Sequence, residues 1–134
     1  RTMSMSDPIA DLLARIRNAV QARHATVDAP YSRLKAEICR ILKEQGFINA
    51  FEVAEDPKPG LIRITLRYLP DGTSVLHGLR RVSKPSLRVY VGHDCIRPVR
   101  SGLGVSILST PRGVMTGKTA QRSKAGGEVI CEVW

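Results

Sequence analysis

Leu61-Ile62-Arg63-Ile64-Thr65-Leu66-Arg67-Tyr68-Leu69 repeats with a period of two. Ile62, Ile64, Leu66 and Tyr68 fall on one side of an extended chain, and Arg63, Thr65 and Arg67 on the other. A strand with one buried face and one basic face follows. Just upstream, Asp56-Pro57-Lys58-Pro59-Gly60 is a turn by composition, and strand signals run from Ile48 to Val53. Farther back the period lengthens to that of a helix. Pro30 and Ser32 announce one whose buried stripe is Leu34, Ile38, Ile41 and Leu42. Gly46 stops it as a left-handed cap, with Phe47 placed to pack back on the last turn. A short extended piece lies around Thr26–Asp28. Before it, Asp7-Pro8 is a strong helix start, an acceptor cap followed by a proline whose missing N–H costs nothing there. Ile9, Leu12, Leu13, Ile16 and Val20 share one face of that helix. The first half therefore reads α-β-α-β-β.

Working outward in the other direction, Pro70-Asp71-Gly72-Thr73 is the best boundary in the chain. Beyond it the elements shorten. Val75–Val82 and Leu87–Val91 read as strands around Ser83-Lys84-Pro85-Ser86. Gly102-Leu103-Gly104 bends into a strand at Val105–Leu108, followed by a loop, Ser109-Thr110-Pro111-Arg112-Gly113. Thr116 caps a short helix reaching Lys124, and Gly126-Gly127 opens a last strand, Glu128–Trp134. The expected fold class is α+β: an N-terminal α-β-α-β-β lobe, residues 3–70, packed against a smaller, mostly β C-terminal lobe, residues 71–134. Arg1 and Thr2, ahead of a plausible initiator at Met3, are left out of this reading.

Charge is the unusual feature of the composition. The 134 residues carry 21 Lys and Arg against 12 Asp and Glu, a formal net charge of +9. The excess is uneven, because residues 81–134 hold nine basic and three acidic side chains and residues 1–80 twelve and nine. Such a surface attracts polyanions by counterion release, nucleic acid first and an anionic membrane second. Solubility is the plain alternative. No apolar run approaches about 18 residues, so no membrane span is expected. Cys39, Cys95 and Cys131 are widely spaced and odd in number, which argues against a disulfide framework and a zinc site and points to a reducing, cytoplasmic-type compartment. His93 lies beside Cys95, but no second ligand pair follows at metal spacing.

Gly117-Lys118-Thr119 has the look of the end of a phosphate-binding loop, which would make the chain a nucleotide-binding enzyme. The first glycine of such a loop would fall at Arg112, with Gly113 one place off, so chance explains it better. No nucleophile elbow and no paired-histidine zinc motif occur, and the three histidines sit in unrelated contexts. Neither an enzyme nor a cofactor is expected. One Trp, three Tyr and two Phe are too few for a sheet that stacks bases on several aromatics. Recognition of RNA would rest instead on hydrogen bonds from a loop and on phosphate contacts from Lys and Arg. Ser109–Gly113 suits that work: two hydroxyls donate and accept, Pro111 restricts the backbone, and Arg112 adds charge and a planar surface. A simple polar turn fits the same composition.

Ser6-Asp7-Pro8-Ile9-Ala10-Asp11, with Arg15-Ile16-Arg17-Asn18 after it, resembles the opening of the protein eight family of the small ribosomal subunit. The resemblance runs on through Ile41-Leu42-Lys43-Glu44-Gln45-Gly46-Phe47-Ile48, Arg81-Val82-Ser83-Lys84-Pro85 and Arg88-Val89-Tyr90-Val91. Gly102-Leu103-Gly104, Ser109-Thr110 with Gly113-Val114, and the closing Gly127-Glu128-Val129-Ile130-Cys131-Glu132-Val133-Trp134 complete it. The matches keep the family's order and spacing, and together they are highly specific.

The resemblance implies a non-catalytic primary binder of the central domain of small-subunit ribosomal RNA that helps assemble the platform beside neighbouring ribosomal proteins. It also implies binding to a mimic of that RNA site in the messenger of the chain's own operon, with repression of its translation. Carried over by position, Ser109, Thr110 and Gly113 match the RNA-contacting loop, with Arg112 keeping its charge. Tyr90 and Glu128 match positions lining the same surface, and Arg33, Lys84 and Lys58 are expected phosphate contacts. Two places depart from the family pattern: Pro111 replaces a serine, with its hydroxyl and N–H, and Ser86 stands where glycine is usual.

Overall fold

The computed structural model describes residues 7–134; Arg1, Thr2, Met3 and Ser6 lie outside the described residues. The chain forms two compact units, one of Leu12–Gly78 and one of residues 7–11 with Leu79–Trp134. Both carry sheets and helices, an α+β fold.

In the first unit a helix, α1 (Pro8–Gln21), enters at Leu12 and is followed by β1 (Thr26–Pro30), α2 (Arg33–Glu44), β2 (Ile48–Ala54) and β3 (Leu61–Leu66). The three strands make a sheet in the order β1-β3-β2, all neighbours antiparallel. Because β1 and β2 both run against β3, they run parallel to each other, and α2 is the crossover between them. The alternation read at residues 61–66 sets the burial: Ile62, Ile64 and Leu66 are buried, and Arg63 is exposed. Tyr68, expected on the buried side, is only half-buried, since the ladder ends at Leu66 and Tyr68 belongs to an isolated bridge with Ser74. Its hydroxyl donates to the His24 carbonyl at 2.6 Å.

Helix α2 begins as its sequence requires. The Ser32 hydroxyl accepts from the Lys35 N–H at 3.2 Å. At the far end the Gly46 N–H donates to Lys43 and the Phe47 N–H to Leu42, a Schellman closure with Gly46 at φ +83. The buried stripe is rotated from the expected one. It consists of Lys35, Ile38, Cys39, Ile41 and Leu42, and Leu34 is exposed. Lys35 is buried on that stripe, and its ammonium donates to the Pro30 carbonyl at 3.3 Å.

The second unit contains β4 (Leu79–Arg81), β5 (Tyr90–Val91), β6 (Val105–Thr110), β7 (Gly113–Thr116), α3 (Gly117–Arg122) and β8 (Gly127–Val133). The order β4-β8-β6-β7 puts β8 at the centre. β4 and β5 share one flank of it end to end, at Cys131–Val133 and Gly127–Glu128. The strands expected at Val75–Val82 and Leu87–Val91 shrink to three and two residues. Between them the Lys84 and Leu87 backbones bond to each other both ways, a tight turn over Pro85 and Ser86 that no continuous strand would permit. A strand missed in the sequence, β7, pairs with β6.

Asp7 ties the start of α1 into this unit. Its carboxylate accepts from the N–H groups of Ile9 and Ala10 and from the Arg81 guanidinium at 3.0 Å. Burial alone would raise this carboxyl, but Arg81 and the two amides outweigh it and hold it below the usual aspartate range. A depressed folded-state value contributes stability above the ordinary pKa that is lost as pH falls through the folded one. Asp7→Asn should therefore lower Tm at pH 7, by about 1–3 kcal/mol of stability. The gap from wild type should close as pH falls below the ordinary aspartate value of about 4, as thermal melts at descending pH would show.

Candidate nucleic-acid interface

The sheet of the second unit assembles most of the expected site residues. Register places Tyr90 of β5 opposite Glu128 of β8, Glu128 opposite Ser109 of β6, and Ser109 opposite Val114 of β7. Directly opposed residues share a sheet face with their Cβ atoms about 5 Å apart, so Tyr90, Glu128 and Ser109 stand side by side. Tyr90 is 68% exposed. The neighbouring row, Leu108 and Val129, points to the opposite face and is buried with Ala120 of α3.

Ser109 and Thr110, expected in a loop, are the last residues of β6. Only Pro111 and Arg112 form the turn, because Thr110 pairs with Gly113. Pro111 therefore costs the ladder nothing: its place in a two-residue hairpin turn needs no inward N–H. The Thr110 hydroxyl donates to the Gly113 carbonyl at 2.8 Å and accepts from the Arg112 N–H at 3.1 Å, closing the turn from within. The Arg112 guanidinium donates to the Ser123 carbonyl behind α3 at 3.0 Å. The Ser109 hydroxyl makes no hydrogen bond among the described residues, so it keeps its full capacity for a ligand. Gly127 lets β8 pass this close, since a Cβ there would run into the Ser109 carbonyl.

Glu128 is held by residues that the sequence alone does not single out. The Ser83 hydroxyl, fully buried, donates to Oε2 and accepts from the Val89 N–H at 3.0 Å. Arg88 donates to the same Oε2 at 2.9 Å. Burial would raise the Glu128 carboxyl, yet Ser83 and Arg88 outweigh it and keep it below the usual glutamate range. A carboxylate facing RNA would repel phosphate. Here Arg88 offsets the charge, and Oε1 is left to accept from a base amino group or a ribose hydroxyl. Ser83 also anchors the tight turn that carries Lys84, which is exposed. Nothing in local sequence signals a partnership across 45 residues.

Arg33 and Lys58 lie in the other unit. Arg33 is the exposed first residue of α2, and Lys58 is exposed on the turn between β2 and β3. The Tyr31 N–H donates to the Gly60 carbonyl at 2.9 Å, which brings that turn beside the start of α2. Gly117-Lys118-Thr119 has no phosphate loop before it, because residues 113–116 are β7. Gly117 is needed for packing, since a Cβ there would run into the Ser106 hydroxyl. Cys39 and Cys131 are buried, and burial pushes both thiols up to about 12, so they stay protonated and unreactive at neutral pH. Among the described residues, no helix is long and apolar enough to cross a membrane.

A model of the ribosomal protein S8 family matches residues 7–134. The chain belongs to the ribosomal protein S8 family. It is 57% identical over 132 residues to small ribosomal subunit protein uS8 of Roseiflexus castenholzii, covering 98% of this chain and all of that one. It is 54% identical over 129 residues to the uS8 of Solibacter usitatus, with 96% and 98% covered. With the uS8 of Acidobacterium capsulatum it shares 52% over 132 residues, 98% of this chain and all of the relative.

Replacing Ser83 in this S8-family protein with alanine leaves the half-buried Glu128 carboxylate short of one donor and the Val89 N–H without its acceptor. The expected cost is about 1–3 kcal/mol of stability, measurable by urea denaturation. Ser83→Thr should recover part of it.

Proposed function

We propose that this protein is a structural constituent of the small ribosomal subunit that binds the central domain of the subunit's RNA directly and helps assemble the platform beside neighbouring ribosomal proteins. Its mechanism is binding without turnover. The observation that carries the reading is the row Tyr90–Glu128–Ser109, which sets an exposed aromatic, a charge-compensated carboxylate and an uncommitted hydroxyl beside each other at the end of the β6–β7 hairpin. Short groups on a close-approaching backbone suit base edges and ribose hydroxyls in a wide, shallow groove, where phosphates are better reached by long Lys and Arg. Lys84 beside the row, and Arg33 and Lys58 in the other unit, supply the phosphate contacts. The same surface would bind an imitation of the RNA site in the operon's own messenger and repress its translation.

Ser109→Ala should weaken central-domain RNA by up to about a hundredfold, leave scrambled RNA and duplex DNA nearly unchanged, and leave Tm and salt dependence as they are. Thr110→Val should weaken the same RNA and also lower Tm, because its hydroxyl closes the turn. Gel shifts with the three nucleic acids, alongside thermal melts, check both. An unaltered ratio of cognate to scrambled affinity in folded Ser109→Ala would remove the row from the site.

Lys58→Ala should weaken all RNAs about equally and reduce the slope of log affinity against log salt by about one. An unchanged slope would take Lys58 out of the interface.

A further inference from the structure

The two outer edges of the β1-β3-β2 sheet are treated differently. Just before β3 Gly60 accepts from the Tyr31 N–H, and at its end Leu66 donates to the Ala25 carbonyl, each at 2.9 Å. The alternation of a ladder then turns Ile62 and Ile64 towards β1, and Leu61, Arg63 and Thr65 towards β2. The β1 residues whose polar groups point away from the sheet are Thr26, Asp28 and Pro30. That edge is closed: Pro30 has no N–H and its carbonyl takes the Lys35 ammonium, while the Asp28 carbonyl takes the Arg15 guanidinium at 3.2 Å.

The β2 edge has no such cover. Ala50, Glu52 and Ala54 oppose Thr65, Arg63 and Leu61, so their backbone groups are turned inwards. Phe51 and Val53 then direct their N–H and C=O groups outwards, and among the described residues no side chain or loop bonds to them. Val53 is 39% exposed. Natural sheets blunt such an edge with proline, lysine or an inward charge, and β2 has none of these beyond the irregularity at Asn49.

The charges beside this edge point to one occupant. Residues 50–56 hold Glu52, Glu55 and Asp56 and no basic residue, in a chain of net charge +9. None of the three forms an ion pair among the described residues. Arg63, the nearest cation across the sheet, is committed to Asp28 by bonds of 2.9 and 3.1 Å. Glu52 feels the Arg63 charge across the ladder but forms no bond with it, and along the strand edge itself, short of Lys58 on the turn, these carboxylates disfavour RNA phosphates. A second copy of this edge would set the same acids against each other. We infer that β2 is a docking edge for an extended, Lys- or Arg-rich segment of a partner protein, which adds a fourth strand by bonding to Phe51 and Val53 and pairs its cations with Glu52, Glu55 and Asp56.

The edge lies wholly within the Leu12–Gly78 unit, and the titration contains no RNA, so its outcome does not turn on the RNA-binding reading. The probe is a blocked peptide alternating lysine and valine over seven residues, titrated into the isotope-labelled full chain. Saturable shifts of the Phe51, Glu52 and Val53 amides below about 1 mM peptide are expected. Affinity should fall at least tenfold when alternate peptide amides are N-methylated and when glutamate replaces lysine. It should fall as far in Glu52→Lys/Glu55→Lys/Asp56→Lys. Val53→Pro removes an outward N–H and should act likewise; if it does not fold, the N-methylated peptide tests the same bond in the wild-type chain. No saturable shift, equal binding of the N-methylated or glutamate peptide, or shifts centred elsewhere would overturn the inference. So would concentration-dependent shifts of Phe51 and Val53 with a dimer in sedimentation, which would make a second copy the occupant.

Discussion

The Ser83 hydroxyl, fully buried, bridges the Glu128 carboxylate and the Val89 N–H, and the arrangement of the β5–β8–β6 surface depends on it. Both partners are half-buried, so leaving either unmet would cost part of its desolvation as well as the bond. The turn carrying Lys84, the short strand carrying Tyr90 and the first residues of β8 are thereby held in one relation. Arg88 completes the clamp and offsets the charge of Glu128. The carboxylate can in this way stand on a surface of a basic chain at little electrostatic cost.

Two hydroxyls that look equivalent along the chain do different work. Thr110 spends its donor and an acceptor position on its own turn, whereas Ser109, one residue earlier and on the sheet face, spends neither on the described residues. The hairpin turn is closed by its own hydrogen bonds, and its ladder to β8 sets Ser109 beside Glu128. Pro111 fits the same logic, since its fixed φ stiffens a turn position where no N–H is required.

The other unit divides its charges along its sheet. Arg63 lies between Asp28 and Glu52 in register but bonds only to Asp28, and the carboxylates after it continue through Glu55 to Asp56. Arg33 and Lys58 stand near the same end. A chain rich in cations thus keeps one acidic strip, Glu52 to Asp56, beside the outer strand β2, with Arg33 and Lys58 beyond its end.

Much of this was legible in the sequence because it is local. The alternation at Leu61–Leu66, the Asp7 and Ser32 caps, the Gly46 stop and the Thr116 cap each depend on neighbours within a few positions, where periodicity and capping chemistry act. The ordered run of family motifs likewise pointed to the ribosomal protein S8 family, and their positions to Ser109, Thr110, Tyr90 and Glu128 as the proposed site. What tertiary structure alone decided is non-local. Lys35 lies on the buried stripe where its ammonium meets the Pro30 carbonyl, while Leu34 is exposed. β7 went unread because four residues after a Pro-Arg turn carry little pattern of their own and are strands only through their ladder to β6. Ser83 became a partner of Glu128, and Phe51 and Val53 became an open edge, because sheet register joins residues far apart in the chain, and no local pattern encodes which strand lies beside which.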